Sequence, residues 1–434
     1  MTRSVKPDEP SWQQDSFSKD GDRSDRASSS TLNNPKRYRP EERMDQEKNC
    51  SGSLTGRNLY VGIAGERSRN VGLDACRAVA ISLVVFSHGV GYLEPLIPHV
   101  TESLKFGGFV GVELFFVLSG FLIGQMLLRA ADESRYGWLK TFYLRRFFRT
   151  LPSYVLFMGV NIVFALLVMR SPVPDDLWRY MIFVQNMSTP HPNFFPEAWS
   201  LAIEELFYIG FPLSFLILSW ALSIKRRAAI LVTALIVILG SLLARGILAS
   251  ESVSWDAEVR KVAVFRFDSL MVGVLLAWLD QADARILREK AVTRSLMVLL
   301  VLCGIYVSLT PMEVMDDSHF SKTVLFTFTS FGCAAVVVAS LPLQLPSSLT
   351  SVVTLIAKIS YSAYLVNLPV LILINCFIVN DGVDGVAWFL MFHFATFASA
   401  FALYRYYEVT FYRLRDRYVP ENGRTDQSQL QLAA

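Results

Sequence analysis

From about residue 72 to residue 407 the chain alternates long apolar runs with short polar connections. An α-helix needs about 20 apolar residues to cross roughly 30 Å of hydrocarbon. By that measure about ten spans are predicted, at 72–93, 106–128, 148–169, 200–221, 228–249, 262–279, 294–311, 322–341, 352–377 and 385–407. The expected fold is therefore all-α, a polytopic transmembrane helical bundle. No internal repeat is visible along it, which removes one argument for a transporter built from repeated halves.

Residues 1–70 have neither helical nor strand periodicity and are rich in charged and polar side chains, the composition of a disordered tail. No apolar stretch follows Met1, so no cleavable signal peptide is expected. Within the tail, "PKRYRPEER" (35–43) is a candidate contact for anionic lipid, although such runs are usually just solvated. The charged fraction of the whole chain is 18% and the hydrophobic fraction 52%, which fits a membrane protein better than a soluble one. The net charge of +3 matters less than where the cations lie. One set of loops holds Arg129, Arg135, Lys140, Arg145, Arg146 and Arg149, then Lys225–Arg227, then Arg285, Arg288, Lys290 and Arg294. The segment 413–434 adds Arg413, Arg415 and Arg417, while the opposite loops carry only scattered charges. This bias predicts a multi-pass protein of the cell (inner) membrane with both termini cytoplasmic. The five cysteines show no paired spacing and read as small apolar residues. No metal site is expected.

Ionisable residues inside spans are costly and usually face a cavity or a partner. The run "ISLVVFSHGVGYL" (81–93) has His88 in its middle. Arg77 lies eleven residues earlier, three turns plus about 20° at 100° per residue, so the two share a helix face about 16 Å apart along the axis. Asp74 lies one turn below Arg77. Alone, Arg77 suits a side chain snorkelling to headgroups and His88 an interhelical hydrogen bond. Their alignment argues for a shared task.

Glu113, in "FGGFVGVELFFVLSGFLIG" (106–124), falls at a depth matching His88. A Glu113–His88 hydrogen bond is expected, one that would set the imidazole tautomer. Gly107, Gly108, Gly111, Gly120 and Gly124 allow close helix approach. In "WLKTFYLRRFFRTLPSY" (138–154), Arg145 and Arg149 lie four apart on one face. They suit either positive-inside anchoring or a phosphorylated cytosolic ligand. "PEAWSLAIEELFYIGFP" (196–212) places Ser200, Glu204 and Tyr208 one turn apart in succession, beside Trp199 and Glu205. Arg266 and Asp268 open the sixth span, Tyr361, Tyr364 and Asn367 lie in the ninth, and Arg405 and Glu408 close the tenth.

In order, "GLDACRAVAISLVVFSH", "GVELFFVLSGFLI", "RRFFRTLP", "WSLAIEELFY", "FRFDSLMVG", "ISYSAYLVNLP" and "YRYYE" resemble the acyltransferase family 3 proteins, integral membrane enzymes that O-acylate extracytoplasmic carbohydrates. The resemblance covers about residues 70–412. It implies an acyltransferase-3-like domain at 71–412 between a tail at 1–70 and a short basic, then polar tail at 413–434. It also implies acyl-CoA, usually acetyl-CoA, as co-substrate, with no permanently bound cofactor. His88 matches the family's first-span histidine and Arg77 the arginine before it. Arg145, Arg146 and Arg149 match the basic motif. Glu113 stands where the family more often has Asp. Trp199, Ser200, Glu204 and Tyr208 match the tryptophan-serine-leucine-glutamate signature, and Arg266 and Asp268 the paired charges of the sixth span. Asn367 stands where many members have a histidine, Val366 replaces a tryptophan, and Glu408-Val409-Thr410 replaces Glu-Arg-Pro. The chain resembles members without a fused hydrolase-like domain.

His88 and Glu113 are thus the expected catalytic pair, with His88 as general base or acyl acceptor. Arg77, Arg145, Arg146 and Arg149 are expected to hold the phosphates of CoA. Asp74, Ser119, Trp199, Ser200, Glu204, Tyr208, Arg266, Asp268, Tyr364 and Asn367 are expected to support the substrate or the fold. Glycine backbone near 107–111 or 119–120 is a candidate oxyanion donor. The expected partners are a carbohydrate or glycolipid acceptor and membrane lipid, with no nucleic acid and no identifiable protein partner. Two other classes suit the buried charges: a transporter or flippase of an anionic or lipid-linked substrate, and a scaffold or sensor. The second would not need Arg77 and His88 on one face.

Overall fold

The computed structural model describes residues 70–98, 100–131, 137–248, 253–377 and 385–419. The N-terminal tail at 1–69, with its basic run, Arg135, and the polar end of the C-terminal tail lie outside the described residues. Every described element is helical. In chain order the helices are α1 Val71–Gly89, α2 Val100–Ala130, α3 Gly137–Val163, α4 Leu177–Met181, α5 Ala198–Ala221, α6 Arg226–Leu248, α7 Phe267–Gln281, α8 Lys290–Leu309, α9 Met312–Asp317, α10 His319–Ser340, α11 Ser347–Phe377, α12 Gly385–Leu403 and α13 Val409–Tyr418.

Among the described residues, nine helices are long and apolar enough to cross a membrane. The exception to the ten-span expectation is the sixth, 262–279. There the chain runs through a π-helical turn, Trp255–Arg260, and a 3-10 turn, Ala263–Phe265, before α7 begins at Phe267 and lasts 15 residues. α7 packs against α2, α6 and α10 and is buried on nearly every side. Being enclosed by protein, it has less need of a full bilayer-length apolar stretch. The third span also differs. α3 starts at Gly137, so "RRFFRTLP" lies on the helix itself rather than ahead of it.

α1 occupies the middle, packed on α2 and α11 and touching α10 and α12. Its start is capped by Asn70, whose side-chain oxygen accepts from the Leu73 N–H at 3.0 Å, with Asp74 in the first turn. Both satisfy the free N–H groups of a helix start. α2 crosses α7 closely. A Cβ on Gly120 would run into the Leu270 carbonyl, and one on Gly273 into the Val117 carbonyl and the Phe121 amide. Only glycine at both positions lets the two backbones touch.

Two buried ion pairs fasten the start of α7. Arg245 of α6 donates to Asp268 at 2.7 Å, to Thr327 at 2.7 Å and to the Thr323 carbonyl at 2.9 Å. Arg266 pairs with Glu113 of α2, and its guanidinium lies 4.2 Å from the centre of the Phe326 ring. Both arginines are fully buried, so each needs its carboxylate and its further acceptors to offset lost hydration.

Candidate functional site

Two spaces meet inside the bundle. The first is a narrow chamber of about 90 Å³. Arg77 reaches it from α1, Ser119 from α2, Arg146 and Arg149 from α3, Glu204, Glu205 and Tyr208 from α5, and Tyr361 and Tyr364 from α11. The second is a larger cavity of about 940 Å³, lined by His88, Trp199, Glu197, Trp255, Asp256, Arg260, Lys261, Tyr364 and Asn367 among others. Val112 and Tyr364 line both spaces and form the partition between them. The Tyr364 hydroxyl is held 2.5 Å from Ser200 Oγ, so the partition ties α11 to α5.

α1 bridges the partition. Arg77 lines the chamber and His88 the cavity, as their shared face suggested. Asp74 is buried and pairs with Arg77 at 3.2 Å. It also accepts from Thr354 at 3.4 Å.

The expected Glu113–His88 bond is not formed. Glu113 is taken by Arg266 and by Ser269, whose hydroxyl donates to it at 2.8 Å. The physical reason is the fully buried guanidinium, which demands a carboxylate more strongly than an imidazole does. His88 instead has Nδ1 at 2.5 Å from Asn367 Oδ1. Asn367 is fully buried, and its amide nitrogen donates to the carbonyls of Tyr364 at 2.6 Å and Ala363 at 3.2 Å. Those two acceptors set the amide orientation, leaving its oxygen toward the ring. The proton therefore sits on Nδ1, and Nε2 keeps its lone pair.

The four arginines do not converge as a set. Arg77, Arg146 and Arg149 line the chamber. Arg145 turns away, donating to the Val419 carbonyl at 2.9 Å and lying 3.8 Å from Asp416. The pair three residues apart faces the site, and the pair four apart does not, because α3 turns Arg145 toward α13. Glu204 accepts from Tyr208 at 2.7 Å and from Ser119 at 3.3 Å, and the Arg146 guanidinium lies 5.1 Å from the centre of the Tyr208 ring. Arg266 and Asp268 act within the ion pairs around α7 and line neither space. Glu408 is a buried clamp, accepting from Ser362 at 2.7 Å, Tyr412 at 3.0 Å and Ser153 at 3.3 Å.

Sequence reasoning missed much of the cavity wall. Arg260 is enclosed by the rings of Trp199, Trp255 and Phe109, with Trp199 at 5.1 Å. It also pairs with Asp256 at 2.6 Å. Burial works to raise the Asp256 carboxyl, but Arg260 and Lys261 outweigh it and hold it down at about 2. Asn186 joins two walls by donating to the carbonyls of Trp199 at 3.0 Å and Lys261 at 2.7 Å. Asn186, Asp256, Arg260 and Lys261 come from loops and short turns and have no periodic signal. Arg245, an arginine inside the apolar run 228–249, was a legible omission.

Residues 70–405 match the family profile described as "Acyltransferase domain". A Staphylococcus aureus (strain MRSA252) protein, provisionally named an O-acetyltransferase, is 28% identical over 382 residues, covering 81% of this chain and 59% of that protein. The O-acetyltransferase OatA of Staphylococcus aureus (strain NCTC 8325) is 26% identical over 331 residues, covering 71% of this chain and 52% of that protein. The peptidoglycan O-acetyltransferase OatA of Listeria monocytogenes is 28% identical over 177 residues, covering 37% of this chain and 26% of that protein. The chain thus spans a little over half the length of the first of these relatives. No solved structure matches it significantly.

Proposed function

The chain belongs to the acyltransferase 3 family, and on that premise we propose that it is a membrane-embedded O-acyltransferase. It moves an acetyl group from cytosolic acetyl-CoA to a hydroxyl of an extracytoplasmic carbohydrate, and peptidoglycan is the favoured acceptor because one relative carries that word in its name. The observation that carries this reading is that one helix, α1, presents Arg77 to an arginine-lined chamber and His88 to a larger cavity, with Val112 and Tyr364 lining both spaces.

In this reading the chamber opens on the cytoplasm. Arg149, exposed, and Arg146 and Arg77, half-buried, meet the phosphates of CoA. The narrow chamber suits the thin thioester arm rather than the nucleotide. The thioester carbonyl reaches the partition, and the acceptor hydroxyl approaches from the cavity. His88 Nε2 takes the hydroxyl proton as the oxygen attacks the carbonyl carbon. The tetrahedral intermediate then collapses, the carbon–sulfur bond breaks, and the imidazolium returns its proton to the departing thiolate. Asn367 holds the ring through Nδ1–H. The Lys and Arg bias supports a cell-membrane protein with both termini cytoplasmic, and the family match over 70–405 supports an acyltransferase domain at 71–412.

Inverted membrane vesicles containing the protein, given radiolabelled acetyl-CoA, test the proposal. Label should pass to a glycan fraction with the native chain and not with His88→Ala at equal membrane level. Equal labelling by His88→Ala would overturn the role of His88. No labelling by the native chain in vesicles from its own organism would favour a transporter.

A further inference from the structure

Ser200 Oγ and Tyr364 Oη lie 2.5 Å apart, and neither hydroxyl has another hydrogen-bond partner among the described residues. Each oxygen carries one proton and can also accept one. A single bond between them uses one proton and leaves the second without an acceptor. No other hydroxyl-bearing residue lining either space is left in that state. In the chamber, Ser119 and Tyr208 donate to Glu204, and Thr150, Ser360 and Tyr361 donate to backbone carbonyls. In the cavity, Ser87, Ser103, Ser308 and Thr310 each donate to a backbone carbonyl. The spare O–H belongs to the pair at the partition, where Ser200 lines the chamber and Tyr364 lines both spaces. Both residues are buried, and a buried donor without an acceptor is a cost that a ligand oxygen removes.

α11 fixes this hydroxyl with respect to His88. Tyr364 and Asn367 are three residues apart on that helix, and such residues are neighbours on its surface. Asn367 donates to the Tyr364 carbonyl at 2.6 Å and holds Nδ1 of His88. One turn of α11 thus carries both the group that orients the base and a hydroxyl at the boundary of the two spaces. The glycine stretches 107–111 and 119–120, expected to offer backbone N–H groups, lie inside α2, where those amides bond within the helix. An oxyanion at the partition is left to side-chain donors.

We propose that the Tyr364 hydroxyl is the oxyanion donor of the transfer reaction and that Ser200 is its positioning residue, donating to the phenol oxygen. The proposal rests on the acyl-transfer reading above. As the acceptor oxygen adds to the thioester carbon, the carbonyl oxygen gains negative charge and accepts a hydrogen bond from Tyr364. The proton stays on the phenol. The charge then returns to form the ester carbonyl as the carbon–sulfur bond breaks. A phenol is a more acidic donor than an alcohol, so Tyr364 is the member of the pair that serves the anion. Ser200, donating to the phenol oxygen, polarises it further.

The test compares label transfer from radiolabelled acetyl-CoA in inverted vesicles carrying the native chain, Tyr364→Phe, Ser200→Ala or the double variant. Tyr364→Phe should lower kcat about 10²–10³-fold, the usual effect of losing an oxyanion donor, with the KM for acetyl-CoA within about threefold of native. Ser200→Ala keeps the phenol and should lower kcat only about tenfold. Added to Tyr364→Phe it should change nothing more, because it acts through that hydroxyl. A bond that merely ties α11 to α5 would make the two single variants equal, and that result overturns the proposal. In parallel, the full-length protein in detergent is titrated with S-acetonyl-CoA, a planar ketone, and S-trifluoroacetonyl-CoA, whose ketone hydrates to a tetrahedral diol. The native protein should bind the second about tenfold or more tightly than the first, and Tyr364→Phe should lose that preference while keeping the planar analogue. Equal native affinities overturn the proposal even if Tyr364→Phe fails to fold. Binding of neither analogue overturns the acetyl-CoA reading and the proposal with it. Transfer by the native chain with Tyr364→Phe at the same rate overturns the proposal and leaves that reading standing.

Discussion

His88 Nδ1 and Asn367 Oδ1 lie 2.5 Å apart, joining the end of α1 to the middle of α11 across 279 positions of sequence. The contact replaces the carboxylate–imidazole pair expected from span depths. It has a different chemical consequence. An amide oxygen accepts the Nδ1 proton without adding a negative charge to stabilise the imidazolium. The ring is oriented, but its basicity is less assisted than it would be by Glu113.

Asn367→Ala should therefore lower the turnover number about 10- to 100-fold, part of the roughly 10²–10⁴ that a positioned general base contributes. The KM for acetyl-CoA should stay near native, because Asn367 lines the cavity and not the chamber. Steady-state kinetics in proteoliposomes check this, and an equal rise in the donor KM would count against a positioning role.

The arginines separate by direction. Arg149→Gln and Arg146→Gln should raise the KM for acetyl-CoA about tenfold or more each, the scale of a lost charge-assisted hydrogen bond. Arg145→Gln should leave it within twofold, since that side chain is committed to Val419 and Asp416. If all three variants behaved alike, the chamber would not be the donor site.

Glu113→Ala should destabilise the protein by about 3–5 kcal/mol, the usual result of leaving a buried cation without its partner. Arg266 would keep only Ser269 and the Arg260 carbonyl as acceptors. Thermal unfolding in detergent would show a lowered midpoint. A variant that unfolds like the native protein but has lost transfer would restore Glu113 to a direct catalytic role.

Glu197 should give the fold a pH signature. Its carboxyl rises from an ordinary value of 4.5 to about 8 because it is buried. Between those values the folded state binds a proton that the unfolded state has released, so stability falls as pH rises through that window. Below about pH 4.5 the two states carry the same proton and the penalty vanishes. Glu197→Gln has nothing to ionise. It should unfold at a higher temperature than native at pH 8 and by a much smaller margin at pH 5. Parallel melting curves at both pH values check the sign, and a constant difference would refute the assignment.

Much of the architecture was legible because lipid imposes a length on every apolar run. Nine of the ten expected spans correspond to helices that meet it. Helical periodicity along one element also put Arg77 and His88 on a common face, and they do line adjoining spaces. The shortened α7 broke the pattern because its surroundings are protein rather than lipid. Pairing between elements was the part that sequence could not decide. Depth matching proposed Glu113 for His88. Arg266 and Asn367 were both in view, but only packed helices reveal that the first claims the carboxylate and the second the imidazole. Periodicity is a property of one helix, and it was readable wherever one helix was enough. Which buried charge finds which partner depends on distances between helices far apart in the chain, so His88–Asn367, Arg245–Asp268 and a Glu197 without a partner among the described residues belong to the tertiary structure alone.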